Sequence, residues 1–227
     1  MKTLTKEIFE TVNKSVFSNI VKITSPHRLG IRLVLLSMLL IRLEADASKV
    51  DTLQVHSTSI NKQIFTLVIK PEKGGSYPSV YVLHGYSGNP IRTIQVDIPS
   101  LRKLADLYQI VFVIPDGGYD KWYLNSNKQK NVQYESFLGE ELPAYIDLNY
   151  PTIKSRFARA IMGWSMGGYG SLRVGGKYSS KFGAIGSMCG AVSIEPYMKG
   201  FGIDQLIDVA DWKSYDILSN CAQYQFT

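Results

Sequence analysis

Histidine and cysteine are both scarce in this chain of 227 residues. The three histidines are His27, His56 and His84, and the two cysteines are Cys189 and Cys221. The cysteines have no metal-ligand spacing and no histidine beside them, so the sequence predicts no metal site. A disulfide between them stays open, because sequence alone does not fix the distance between their backbones.

The chain also lacks a strong excess of one charge and a long apolar run. Its formal net charge is +6, and residues 1–47 hold seven of the 25 basic and four of the 19 acidic residues. The remainder is therefore nearly balanced, with no dense basic patch, and we predict no nucleic-acid partner. The longest apolar run, residues 33–41, is too short for a stable membrane span.

That apolar run has the flanks of a secretory signal. Arg28 and Arg32 precede it, and Ala45-Asp46-Ala47 follows at the distance of a cleavage site. We predict that residues 1–47 are an N-terminal extension with a signal peptide, and that the mature chain is secreted or periplasmic. If residues 33–47 are instead a buried helix, a cytoplasmic location follows.

Residues 48–227 alternate between strand and helix patterns and predict a single α/β domain. The expected strands are 50–56, 63–70, 79–83, 110–114, 159–162 and 182–190, and the expected helices are 98–108, 134–146, one beginning at 166, 203–209 and 214–220. This order implies a mostly parallel sheet with helices on both faces.

The most informative stretch is Gly163-Trp164-Ser165-Met166-Gly167, which lies between an apolar strand and a helix. Serine with glycine two residues before and two after it, at a strand-to-helix junction, is the nucleophile-elbow pattern. The tight turn leaves no room for side chains at the glycine positions and exposes the serine oxygen. Ser165 is therefore the predicted nucleophile. The alternative is a glycine-rich turn with an idle serine.

A second stretch contributes the other loop of the predicted site. The apolar strand 79–83 runs into His84-Gly85-Tyr86-Ser87-Gly88, the position from which α/β-hydrolases donate an oxyanion-hole amide. The predicted oxyanion hole consists of the backbone N–H groups of Tyr86 and Met166. We interpret His84, which precedes the turn, as a structural residue rather than the catalytic base.

These stretches together resemble the esterase family of α/β-hydrolases, which includes S-formylglutathione hydrolases, tributyrin, acetyl and feruloyl esterases and mycolyltransferases. The resemblance spans residues 50–192 and is carried by 82–89, 114–117, 122–124, 140–142 and 163–170. It implies attack by Ser165 on an acyl ester, an acyl-enzyme, and release by water, without metal or cofactor. The implied substrate is a short-chain or aromatic acyl ester, on a small molecule or a carbohydrate.

The chain departs from the family after the elbow. The family's order is serine, acid, histidine, but no histidine follows Ser165 here. The aspartates that do follow lie in predicted short helices, before the strand that should precede the acid: Asp204, Asp208, Asp211 and Asp216.

The catalytic acid and histidine are thus not present in this chain. We expect a fold without its C-terminal strands, inactive and poorly soluble alone because its sheet has an open edge. The alternatives are a non-catalytic pseudoenzyme that binds an acyl or carbohydrate ligand, and a second chain that supplies the missing residues. The oligomeric state is not predicted.

Overall fold

The computed structural model describes residues 48–224. The predictions for residues 1–47 lie outside this range. At its centre is a sheet of six strands in the order β1-β2-β4-β3-β5-β6. The strands are β1 (Lys49–Ser57), β2 (Lys62–Lys70), β3 (Ser79–Leu83), β4 (Val111–Pro115), β5 (Arg159–Trp164) and β6 (Ala184–Met188).

The sheet is antiparallel at one end and parallel in the rest. Strands β1 and β2, both expected from the sequence, form an antiparallel hairpin, and β2 is also antiparallel to β4. Strands β4, β3, β5 and β6 run parallel to one another. Parallel strands end at the same edge of a sheet, so the segments that follow Leu83, Pro115 and Trp164 all emerge on one side. This edge carries the candidate site.

Helical segments connect the strands. The α-helices are α1 (Pro90–Arg92), α2 (Leu101–Tyr108), α3 (Tyr134–Ser136), α4 (Leu142–Asn149), α5 (Met166–Lys177), α6 (Ile203–Leu206), α7 (Trp212–Tyr215) and α8 (Ile217–Asn220). Wider π-helical turns, Thr93–Asp97 and Phe137–Glu141, follow α1 and join α3 to α4.

Two of the predicted boundaries were wrong for local reasons. The helix expected from residue 98 begins at Leu101, because Ile98 precedes a proline and takes an extended φ of −139°. The last strand stops at Met188, since Cys189 has a φ of +45° that an extended strand does not allow.

The sheet has an apolar cluster on each face, as the sequence predicted. The larger cluster includes Tyr81, Leu83, Ile161 and Tyr169, and the smaller one joins α2 to the opposite face through Leu101 and Ala105. The outer edge of β6 is paired with no other strand within residues 48–224.

Three further features concern residues 48–224. Cys189 and Cys221 are both free and exposed, so they form no disulfide. Within the same range, no helix is long and apolar enough to cross a membrane. No group of three or more metal-binding side chains is found there either.

Candidate active site

Ser165 occupies the turn between β5 and α5, where its backbone is strained. Its φ is +53° and its ψ is −118°, a combination that residues with a side chain rarely adopt. Such a conformation costs about 1–3 kcal/mol and persists only where the surroundings enforce it. Here the Ser165 N–H donates to the Met188 carbonyl at 3.0 Å, and the Ser165 carbonyl accepts from Tyr169 N–H at 3.0 Å. The serine is exposed at the top of the sheet.

The two glycines of the motif have the tight surroundings that the spacing predicted. A methyl group on Gly163 would lie 2.7 Å from the Leu83 carbonyl oxygen and overlap the backbone of Gly167. A methyl group on Gly167 would overlap the Leu83 carbonyl and lie 2.6 Å from the His84 carbonyl oxygen. The strand end and the first turn of α5 therefore pack backbone against backbone, which only glycine permits.

The turn after β3 lies directly beside the serine. A methyl group on Gly85 would be 3.6 Å from Ser165 Cβ. The neighbouring amide of Tyr86, like that of Met166 at the start of α5, donates no hydrogen bond within residues 48–224. Unpaired N–H groups, one of them at a helix N-terminus, suit a developing negative charge. The oxyanion-hole role of both residues stays a prediction.

His84 is fully buried beneath this turn, and both of its ring nitrogens are occupied. Gly117 N–H donates to Nε2 at 2.9 Å, while Nδ1 lies 2.9 Å from the Gly85 carbonyl oxygen. Since a backbone amide can only donate, Nε2 is an acceptor and the ring proton sits on Nδ1. Asp116 Oδ1, 3.5 Å from Nε2, then receives no proton from the ring. These contacts favour the structural interpretation of His84.

We therefore expect the His84 ring to carry its proton on Nδ1 and to accept at Nε2. Two-bond ¹H–¹⁵N spectra of the imidazole distinguish the tautomers directly. The exposed His56 provides an internal control, because no comparable pair of contacts fixes its ring. An Nε2–H signal for His84 would contradict the hydrogen-bond assignment and would make His84 a candidate base again.

The segment Trp122-Tyr123 supports the site from below. Both residues have positive φ, +52° and +54°, and both rings are buried. The Tyr123 hydroxyl donates to the His84 carbonyl at 3.1 Å, and its ring packs against Gly117 and Gly170. Burial raises the pKa of Tyr123 well above its ordinary value, so the phenol remains a neutral donor.

An aromatic pair in a polar loop can either line a ligand pocket or pack against the body of the domain. The structure shows packing. The only signal in the sequence was the proximity of the pair to glycine-rich segments, and it did not decide between the alternatives.

Ser165 has no base nearby among residues 48–224. Its hydroxyl makes no hydrogen bond there, both ring nitrogens of His84 are occupied, and His56 lies on β1, which three other strands separate from β5. Asp216 is buried, and its carboxylate accepts from Ile194 N–H and from both the N–H and the hydroxyl of Ser219. Both carboxylate oxygens of Asp216 are therefore occupied by nearby groups, and neither is left to orient a catalytic histidine.

The fold and the elbow together define an α/β-hydrolase. A family model described as "Putative esterase" matches residues 57–225, which is most of the chain. The protein belongs to that family, and the resemblance inferred from its motifs is confirmed. The fold class is confirmed as well, by similarity to solved esterase structures. One of them, a ferulic acid esterase, has a TM-score of 0.59 and 26% identity, and the match covers 74% of this chain and 70% of that chain.

Curated relatives give the same family. The esterase Rv1288 of Mycobacterium tuberculosis is 33% identical over 133 residues, which are 57% of this chain and 28% of the relative. The acetyl esterase of Caldicellulosiruptor saccharolyticus is 31% identical over 116 residues, 51% of this chain and 42% of the relative. The chain thus spans less than half the length of these two relatives.

Proposed function

We propose that this chain is the nucleophile-bearing part of a carboxylic-ester hydrolase. The observation that carries the proposal is the strained backbone of Ser165 beside two unpaired amides. Strain of this kind is retained where it serves a function. Membership of an esterase family supports the same activity.

The chemistry proceeds through an acyl-enzyme. Ser165 Oγ attacks the ester carbonyl carbon while a base takes its proton, and the amides of Tyr86 and Met166 bind the resulting oxyanion. The carbon–oxygen bond to the alcohol then breaks, and the alcohol leaves with the proton. Water attacks the acyl-enzyme in the same manner, which releases the carboxylic acid and restores the serine. The base and its orienting acid are outside residues 48–224.

The proposed substrates are short-chain or aromatic acyl esters, free or attached to carbohydrate. A relative named as an acetyl esterase and a structural neighbour named as a ferulic acid esterase support these two acyl classes. The second candidate function is a non-catalytic module that binds such a ligand on the same fold. The missing base at Ser165 favours it.

A fluorophosphonate probe with added imidazole separates the two functions. We expect the folded chain alone to label slowly, and imidazole to accelerate labelling of Ser165 at least about tenfold, because a positioned base contributes 10²–10⁴-fold and a free base recovers part of this. Mass spectrometry of the labelled peptide measures the effect.

Two variants complete this experiment. Ser165→Ala should abolish labelling, whereas Ser76→Ala, at an exposed serine on a distant loop, should leave it unchanged. A folded chain that stays unlabelled at every imidazole concentration would overturn the esterase proposal in favour of the binding module.

A further inference from the structure

Tyr86 belongs to a cluster of aromatic side chains at the upper edge of the sheet. Its ring lies 5.1 Å from that of Tyr119 and 5.3 Å from that of Phe201, with interplanar angles of 67° and 77°. Edge-to-face contacts at these distances are favourable and directional. The ring of Tyr86 is therefore held from two sides by residues distant in sequence.

The backbone of this turn has few other restraints. Ser87 has a φ of +59°, and its N–H donates to the Tyr119 carbonyl at 2.8 Å. Gly88 N–H closes the turn onto the Gly85 carbonyl at 3.0 Å. The amide of Tyr86 itself is unpaired within residues 48–224. The direction in which the Tyr86 N–H points therefore depends on the contacts that hold the rest of Tyr86.

Phe201 is fixed in turn by Trp122. The indole N–H of Trp122 donates to the Phe201 carbonyl at 2.9 Å, and the Tyr197 ring lies 5.4 Å from that of Phe201. Gly200 and Gly202, with φ of +84° and +79°, allow the chain to present Phe201 between them. Phe201 is nevertheless 39% exposed, so it does not belong to the buried core.

The same tryptophan also touches the nucleophile helix. The Trp122 ring lies 5.7 Å from that of Tyr169, one turn after Met166 on α5. A continuous route of ring contacts therefore runs from α5 through Trp122 and Phe201 to Tyr86. It joins the two elements that carry the predicted oxyanion donors.

We propose that Phe201 is a positioning residue of the oxyanion hole, which holds the Tyr86 amide in place through the Tyr86 ring. This inference rests on the proposed function, since it assigns a role to Phe201 in the same site. Phe201 acts through Tyr86 and need not touch the substrate.

Labelling kinetics with the fluorophosphonate probe and imidazole test the proposal. Removing one oxyanion donor costs about 10²–10³-fold, so a displaced donor in Phe201→Ala should lower the maximal labelling rate about tenfold at unchanged probe affinity. Phe201→Tyr, which keeps the ring, should restore the rate to within about twofold. Phe157→Ala is the matched control, because Phe157 is 85% exposed and precedes β5, outside the aromatic cluster of Tyr86.

Amide hydrogen exchange supplies a second readout that needs no activity. In Phe201→Ala the Ser87 amide should exchange faster, while amides of the central strand β3 keep their rates. If Phe201→Ala does not stay folded by thermal melting, Phe201→Leu takes its place, since it keeps apolar volume without a ring.

The outcomes are distinguishable. Unchanged Ser87 exchange overturns the positioning role of Phe201, as does faster exchange with an unchanged labelling rate. A wild-type chain that is never labelled overturns the proposed function instead, and Ser87 exchange then decides alone whether Phe201 holds the turn. Faster exchange together with slower labelling supports the proposal.

Discussion

Replacing Gly167 by alanine is expected to destabilise the domain strongly and to abolish labelling of Ser165. The added methyl group would overlap the Leu83 carbonyl and crowd that of His84, and both belong to backbone rather than to movable side chains. Overpacking costs about 1–3 kcal/mol, and more where backbone must shift, so we expect at least about 3 kcal/mol. For a domain of this size the melting temperature should fall by about 6–12 °C.

The control for this substitution is Gly74→Ala. Gly74 is exposed, and a methyl group there would meet nothing within 4 Å. Its effect should be within about 0.5 kcal/mol. Chemical denaturation of both variants measures the difference, and fluorophosphonate labelling of the folded fraction measures the site. A Gly167→Ala chain that melts and labels like wild type would contradict the close backbone packing of the elbow.

The elbow was predictable because its determinants are local. Glycine at 163 and 167, a strand before them and a helix after them require only a tight turn, and the structure has that turn at Ser165. The hairpin and the parallel strands were predictable for the same reason, since alternation and apolar runs reflect burial of each strand separately. The alternation of strands and helices predicted the mostly parallel sheet, but the order of the strands within it was not predicted.

What the sequence did not predict depends on contacts between distant segments. Phe201 is far along the chain from Tyr86, and its neighbouring glycines show a sharp turn but not the ring on which it packs. The environment of His84 was likewise hidden, because its partner Gly117 follows a different strand. The apolar periodicity did not reveal the π-helical turn after α3 either. A wider turn rotates the buried face of the helix, but its apolar residues stay in the pattern.

The same limitation applies to the base of the proposed reaction. Counting histidines showed that none follows Ser165, and the structure adds that neither His56 nor His84 can reach it. The two observations are independent, because a histidine earlier in the sequence could have folded over the elbow. The proposed chemistry therefore places its proton acceptor outside residues 48–224, which is why the labelling experiment supplies imidazole.

The helix that carries the predicted oxyanion donor Met166 is itself anchored by a buried ionic cluster. Glu135 of α3 is 1% exposed, and its carboxylate accepts from Arg173 Nε and Lys177 Nζ of α5, both at 2.5 Å. Arg173 also donates to the Ser214 carbonyl at 3.2 Å and stacks over the Tyr215 ring. Burial lowers the pKa of Arg173, but Tyr169 and Glu135 raise it more, so the guanidinium stays charged.

Glu135→Ala is accordingly expected to cost about 3–5 kcal/mol, because it leaves the buried charge of Arg173 without its counterion. Glu140→Ala is the matched control: Glu140 is exposed, lies in the following turn and makes no hydrogen bond within residues 48–224, so its removal should cost less than about 0.5 kcal/mol. Urea denaturation gives both values. The double variant Glu135→Leu, Arg173→Met should recover much of the loss, since replacing both charges removes the uncompensated one. Equal stability of Glu135→Ala and Glu140→Ala would show that the cluster is solvated and does not anchor α5.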